Sequence, residues 1–231
     1  MNVGGSPDTW RVAGSLRLEE VLARLSATRP VFHSEADFQH HLAWEMHLMD
    51  PALRIRLEVR PDPALREQVD LLVDRPDSGM GTAIELKYLK AAWQGAVGTE
   101  DFLLLNQGAQ DISRYDVVKD VARVERFVAQ RTGWNGYAIV VTNDGTYWAP
   151  RSGGPLTIDH AFRIHEGAGL AGERAWGAGA GDGTMRGRRA ILGLRGEYTL
   201  NWRDYSHADG RNGLFRVLVV AICGQSTTPQ A

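Results

Sequence analysis

Cysteine is almost missing from this chain, with one residue, Cys223, in 231. That excludes a disulfide framework within one chain and any zinc site built on thiolates. Long apolar runs are missing too. No stretch approaches the ~18 residues that cross a bilayer, and no Arg/Lys-led apolar leader opens the sequence, so a cytoplasmic protein with no membrane partner is expected. Nor is there a surplus of positive charge, since the formal net charge is −2. Bulk electrostatics therefore give no pull toward nucleic acid, and such a partner has to be held by local arginine clusters and metal ions. Internal repeats, heptads and a Gly-x-Ser-x-Gly elbow are also absent. The glycines from Gly177 to Gly183 lack the preceding strand, following helix and Lys-Ser/Thr of a phosphate-binding loop. His33, His40, His41 and His47 crowd one region, but His40 and His47 stand two helical turns apart with no cysteine nearby, a poor zinc arrangement.

What is present is a hydrophobic content of 43%, enough for a real core, in a length that one α/β domain with additions can fill. The lead-in through Gly14 is rich in Gly, Ser, Pro and Asp and reads as loose. Ser15 is placed to cap a helix whose apolar positions are Leu18, Val21, Leu22 and Leu25, closed by Pro30. Ser34 and Asp37 make a capping-box-like start for a second helix, ended by Pro51. At about 100° per residue, Glu35, Phe38, Leu42, Met46 and Met49 share a stripe with Glu45 at its edge. A carboxylate within an apolar stripe points to something polar facing the N-terminal end of that helix.

Three extended segments follow, at 54–59, 69–74 and 83–88, and the Pro/Gly/Asp-rich loop of 75–81 makes the last two a hairpin. A long helix is expected over about 102–130, then a buried strand over 137–142 that ends in the turn Asn143-Asp144-Gly145. Beyond Pro150 the pattern weakens. Residues 167–187 read as loop, 197–202 and 215–222 as further strands, and the tail after Gly224 as polar and frayed. Trp148, Trp176 and Trp202 read as packing residues.

The chemistry sits in the hairpin. Glu85 and Lys87 are two apart in a strand and leave the same face, while Asp70, Leu72 and Asp74 share a face of the neighbouring strand. A symmetric hairpin sets Asp70 across from Glu85 or Lys87. Two carboxylates and an ammonium in an apolar setting are unfavourable unless compensated, and a divalent cation with hard oxygen ligands compensates them.

Asp70 followed by Glu85-Leu86-Lys87 resembles the PD-(D/E)xK nuclease superfamily, the fold of many restriction endonucleases and repair nucleases. The resemblance implies a restriction-endonuclease-like α/β core of helix, three strands, helix and strand, with a mixed central sheet flanked by helices. It covers about 34–144 and leaves 145–231 as a C-terminal elaboration with additional strands, all within one domain. It implies a Mg²⁺- or Mn²⁺-dependent nuclease acting on DNA. Asp70 and Glu85 then correspond to the metal-binding carboxylates and Lys87 to the catalytic lysine. Glu35 matches the acidic residue of the first helix, with Glu45 as second choice. The helix after the lysine often adds polar residues, for which Gln107, Gln110, Asp111 and Tyr115 are candidates, with Arg114 alongside. The stretch 106–125 looks like an uncharacterised bacterial subgroup of the superfamily. Val69 stands where the name has proline, a common departure. The resemblance leaves open a homodimer, by which many members with one site per chain cut both strands. The alternative is a catalytically idle nucleic-acid- or protein-binding module on the same fold.

Overall fold

A computed structural model describes residues 10–61 and 67–224 of the chain. A small ladder, β1 (Arg11–Val12) with β2 (Leu16–Arg17), leads into α1 (Leu18–Thr28), then α2 (Glu35–Met49). Next come β3 (Arg54–Val59), β4 (Val69–Arg75), β5 (Met80–Leu89), a hairpin of β6 (Trp93–Val97) and β7 (Glu100–Leu104), α3 (Gln110–Val128) and β8 (Trp134–Thr142). The remainder holds α4 (Gly145–Trp148), a single 3-10 turn at His160–Phe162, β9 (Gly169–Arg174), α5 (Asp182–Met185), β10 (Leu192–Thr199), β11 (Trp202–His207) and β12 (Leu214–Ile222).

The central sheet is six-stranded in the order β11-β12-β8-β5-β4-β3. Only β5 and β8 run parallel, and the segment between them is the crossover that parallel neighbours require. Both faces are covered, which explains why β4, β5 and β8 read as nearly continuous apolar runs. On one face lie α1, α2 and the β6–β7 hairpin, closing a core that includes Leu42, Met46, Leu71, Ile84, Leu86 and Ile139. On the other lies α3 with the β9–β10 ladder, around Leu72, Ala83, Val121, Val140 and Leu218. The mixed α/β class is as expected, and so is the order of the elements from α2 to β8, with one hairpin interposed. No helix among the described residues is long and apolar enough to cross a membrane.

Several local readings need correction. The helix expected over 102–130 begins only at Gln110, because Phe102 and Leu104 belong to β7 and alternate inward while Leu103 stays exposed. Ser15 does not cap α1. Its hydroxyl donates to Asp50 Oδ2 at 2.5 Å, and Leu16–Arg17 is drawn into the β1–β2 ladder before the helix starts. That ladder also gives structure to part of the expected loose lead-in, whose first nine residues lie outside the described ones. The loop expected over 167–187 contains β9, which pairs with β10 through backbone bonds that its glycine-rich sequence does not advertise. The strand expected over 197–202 is instead the end of β10 and the first residue of β11. The tail beyond Gly224 lies outside the described residues.

Candidate active site

The hairpin β4–β5 pairs from Arg75↔Met80 to Leu71↔Ile84, where the ladder stops. Strand β5 runs on to Leu89, held on its other edge by β8. Its vacated edge still carries backbone donors, which cannot stay unpaired when buried. Carboxylates take the place of the missing strand: the Leu86 N–H donates to Asp70 Oδ2 at 2.6 Å and the Tyr88 N–H to Glu35 Oε2 at 3.0 Å. This fork fixes Asp70 against β5 and brings in the first residue of α2. Gln39, one turn further along α2, braces the same place, its amide donating to the Asp70 carbonyl and to Glu58 Oε1, both at 2.8 Å.

Since Leu72 pairs with Ala83, the same register puts Asp70, Glu85 and Lys87 on the face covered by α3. That helix lays Asp120 and Arg123 over them. Lys87 Nζ lies 2.9 Å from Asp120 Oδ2 and 3.8 Å from Glu35 Oε1, and donates to the Leu86 carbonyl at 2.9 Å. Arg123 Nη1 stands 2.7 Å from Glu85 Oε1 and 3.2 Å from Asp120 Oδ1. Glu85 is 1% exposed, and its second oxygen, Oε2, is buried without a hydrogen-bond partner.

Burial dominates the electrostatics. It raises the Asp70 carboxyl to about 6, although the Leu86 N–H and Lys87 pull the other way. Glu85 is pushed up to about 9 by burial, then by the charges of Asp120 and Asp70. Asp120 is raised as well, again by burial first. For Lys87 burial works against the ammonium, but Asp120 and Glu35 outweigh it and hold the group above the ordinary lysine value. The surrounding carboxylates therefore favour the charged ammonium of Lys87.

Four carboxylates (Glu35, Asp70, Glu85 and Asp120) thus crowd two cations, Lys87 and Arg123, and Asp70, Glu85 and Asp120 are raised in consequence of burial and of neighbouring carboxylate charge. Among the described residues no three His, Cys, Asp or Glu side chains are grouped so as to hold a metal ion. The cluster is thus no cage of the zinc or calcium kind. Mg²⁺ differs, because it takes one or two carboxylates and keeps several waters. Asp70 and the orphaned oxygen of Glu85 suit that sparser coordination.

Of the residues singled out in the sequence, Asp70, Glu85, Lys87 and Glu35 come together. Glu45 does not join them; its carboxylate accepts from Arg24 Nε at 2.5 Å, between α2 and α1. The four candidates from the following helix lead elsewhere. Gln107 is exposed, held by a backbone bond to Lys90; Gln110 reaches Asp144 Oδ2 at 3.4 Å; Asp111 sits half-buried in the first turn of α3. Tyr115 is buried on the flank facing the C-terminal region, where its hydroxyl donates to the Ala190 carbonyl at 3.1 Å and its ring stacks on Trp176. Asp120 and Arg123 escaped sequence reasoning. Their trace was present, an acid and a base three apart within the valine-rich run 117–124, but nothing in the sequence shows that this turn of the helix lies over β5. The four histidines do not converge: His33 pairs with Glu100, His41 with Asp37, His40 bonds the Ala36 carbonyl, and His47 packs beside Trp44.

No protein-family model, no curated protein and no solved structure matches this chain.

Proposed function

We propose that the chain is a metal-dependent nuclease of the PD-(D/E)xK kind that hydrolyses phosphodiester bonds in DNA. The convergence of Asp70, Glu85 and Lys87 on one sheet face, at the point where β4 and β5 part, carries this reading. It is supported by the element order around them and by the orphaned oxygen of Glu85. Asp70 and Glu85 would hold a Mg²⁺ or Mn²⁺ ion, which when bound supplies Lewis acidity and a more acidic water. Lys87 contributes a fixed positive charge toward the oxygens of a phosphoryl group as negative charge develops there. In this reading Lys87 acts through its charge rather than as the proton acceptor. Asp120 and Glu35 position that ammonium, and Arg123 offsets part of the Glu85 charge.

The Arg123–Glu85 pair also favours a second reading, an idle binding module, since an arginine seated on Glu85 occupies an oxygen that a metal ligand would offer. Incubation with supercoiled plasmid and with single-stranded oligonucleotide, in Mg²⁺, Mn²⁺ or EDTA, separates the two. We expect cleavage that EDTA abolishes and that Asp70→Asn and Lys87→Ala each reduce roughly 100-fold or more. Cleavage that survives both substitutions would overturn the catalytic assignment. A parent chain that cuts nothing would leave the idle module as the better reading.

A further inference from the structure

The segment 149–168, between α4 and β9, bounds an open cavity of about 330 Å³ whose polar lining includes Arg151, Thr157, His160, Arg163 and His165. Its charges do not balance. Asp159 is buried and serves two guanidinium groups at once, Oδ2 accepting from Arg114 at 2.7 Å and Oδ1 from Arg163 at 3.1 Å. Arg163 also donates to Thr157 Oγ1 at 2.8 Å. Arg151 is exposed and has no carboxylate partner among the described residues. Arg114 and Arg163 thus share a single acid and Arg151 adds a third guanidinium, which leaves two positive charges in surplus, with His160 and His165 beside them. The strain is felt at Arg163, whose guanidinium is held below its ordinary value by burial, then by Arg114, with Arg151 adding to the effect.

The loop is shaped for this. Gly153 and Gly154 stand at φ of +72° and +86°, a left-handed conformation that costs glycine least. A Cβ at Gly154 would come within 3.0 Å of Arg151 Nη2, so the bare backbone lets the arginine fold back over the loop.

We propose that this cavity binds the terminal phosphate of a phosphomonoester. Two surplus charges match a phosphate dianion better than a carboxylate or a diester, which carry one negative charge each. The Arg151 and Arg163 guanidinium groups supply donors for several of its oxygens. The volume admits the phosphate together with part of the group it is attached to. The bearer is either a nucleic-acid end or a small phosphorylated molecule. The assignment stands apart from the nuclease reading, since it uses none of Asp70, Glu85 or Lys87.

Calorimetric titration of the full chain, at constant ionic strength and in EDTA, tests it with three probes: inorganic phosphate, a 5′-phosphorylated oligonucleotide and its 5′-hydroxyl counterpart. Phosphate should bind, and Arg151→Ala should weaken it roughly tenfold, with Arg151→Lys recovering part of the loss. Arg151 is exposed, so both variants should keep the parent's thermal midpoint; Thr157→Val provides an independent second lesion. Asp70→Asn should bind phosphate like the parent, which keeps this outcome separate from any result on cleavage. A tenfold preference for the phosphorylated strand identifies a nucleic-acid end as the bearer, whereas equal affinity for the two strands identifies a small molecule. Absence of phosphate binding at millimolar concentration, or binding untouched by Arg151→Ala and Thr157→Val, overturns the proposal.

Discussion

Glu85 accepts from Arg123 through one carboxylate oxygen and has no partner for the other, in a place almost closed to water. Its folded-state value, about 9, lies above the ordinary 4.5, so the folded protein binds this proton more tightly than the unfolded chain does. Ionisation therefore costs stability. The penalty is absent below about pH 4.5, grows as pH rises, and is complete above about pH 9. Glu85→Gln should raise unfolding stability by about 1–3 kcal/mol near pH 9 and leave it nearly unchanged near pH 4, as read from denaturant titrations. A divalent ion bound there has the same sign of effect: millimolar Mg²⁺ at pH 8 should raise the parent's Tm, and Glu85→Gln should abolish that rise. A Tm indifferent to Mg²⁺ would count against a metal at Asp70 and Glu85. The residues at the heart of this cluster were legible because a period of two in a strand fixes which side chains share a face. Asp120 and Arg123 were not, since a helical position acquires meaning only once its neighbours in space are known.

At the scale of elements, the fork between β4 and β5 replaces two rungs of a ladder with side chains. Glu35 serves the Tyr88 amide and Asp70 the Leu86 amide, so each can be removed separately. Glu35→Ala should speed hydrogen exchange at Tyr88 roughly tenfold while leaving Leu86 slow, and Asp70→Asn should perturb Leu86 first; amide exchange followed by NMR checks both. Equal acceleration at both amides would mean that the end of β5 opens as one unit. Capping explains why α2 was easy to read: Ser34 accepts from the Asp37 N–H at 3.1 Å, so the start of that helix is written in its own side chains. Helix α3 has no such mark. Its first turn follows Ala109 in a left-handed conformation with no side-chain cap, and the β6–β7 hairpin before it supplies apolar residues that mimic a longer helix. The β9–β10 ladder was hidden for a related reason, since Gly169 and Gly172 lend β9 no apolar alternation.

Across the whole molecule, α3 faces two ways. One side bears Asp120 and Arg123 over the candidate site, and the other is fastened to the C-terminal region. Glu125 is the main clasp, accepting from the backbone N–H groups of Arg195 and Gly196 and from the Tyr198 hydroxyl at 2.9, 2.8 and 2.6 Å. Arg188 on Asp116 and the stack of Tyr115 on Trp176 add to it. Glu125→Ala strands those donors, and should lower stability by about 2–4 kcal/mol in chemical denaturation; a loss under 1 kcal/mol would show that water replaces the carboxylate. How residues 145–224 contribute could not be foreseen from their glycine-rich composition, because the ties run through backbone groups and partners far away in sequence. The position of β8 has a further consequence, for synthesis. One edge of this Ala-Ile-Val-Val strand is met early by β5, but the other waits for β12. A chain emerging from the ribosome therefore carries a bare, sticky border from the moment β8 docks until β12 follows, and that interval is when misassembly with neighbouring chains is most probable.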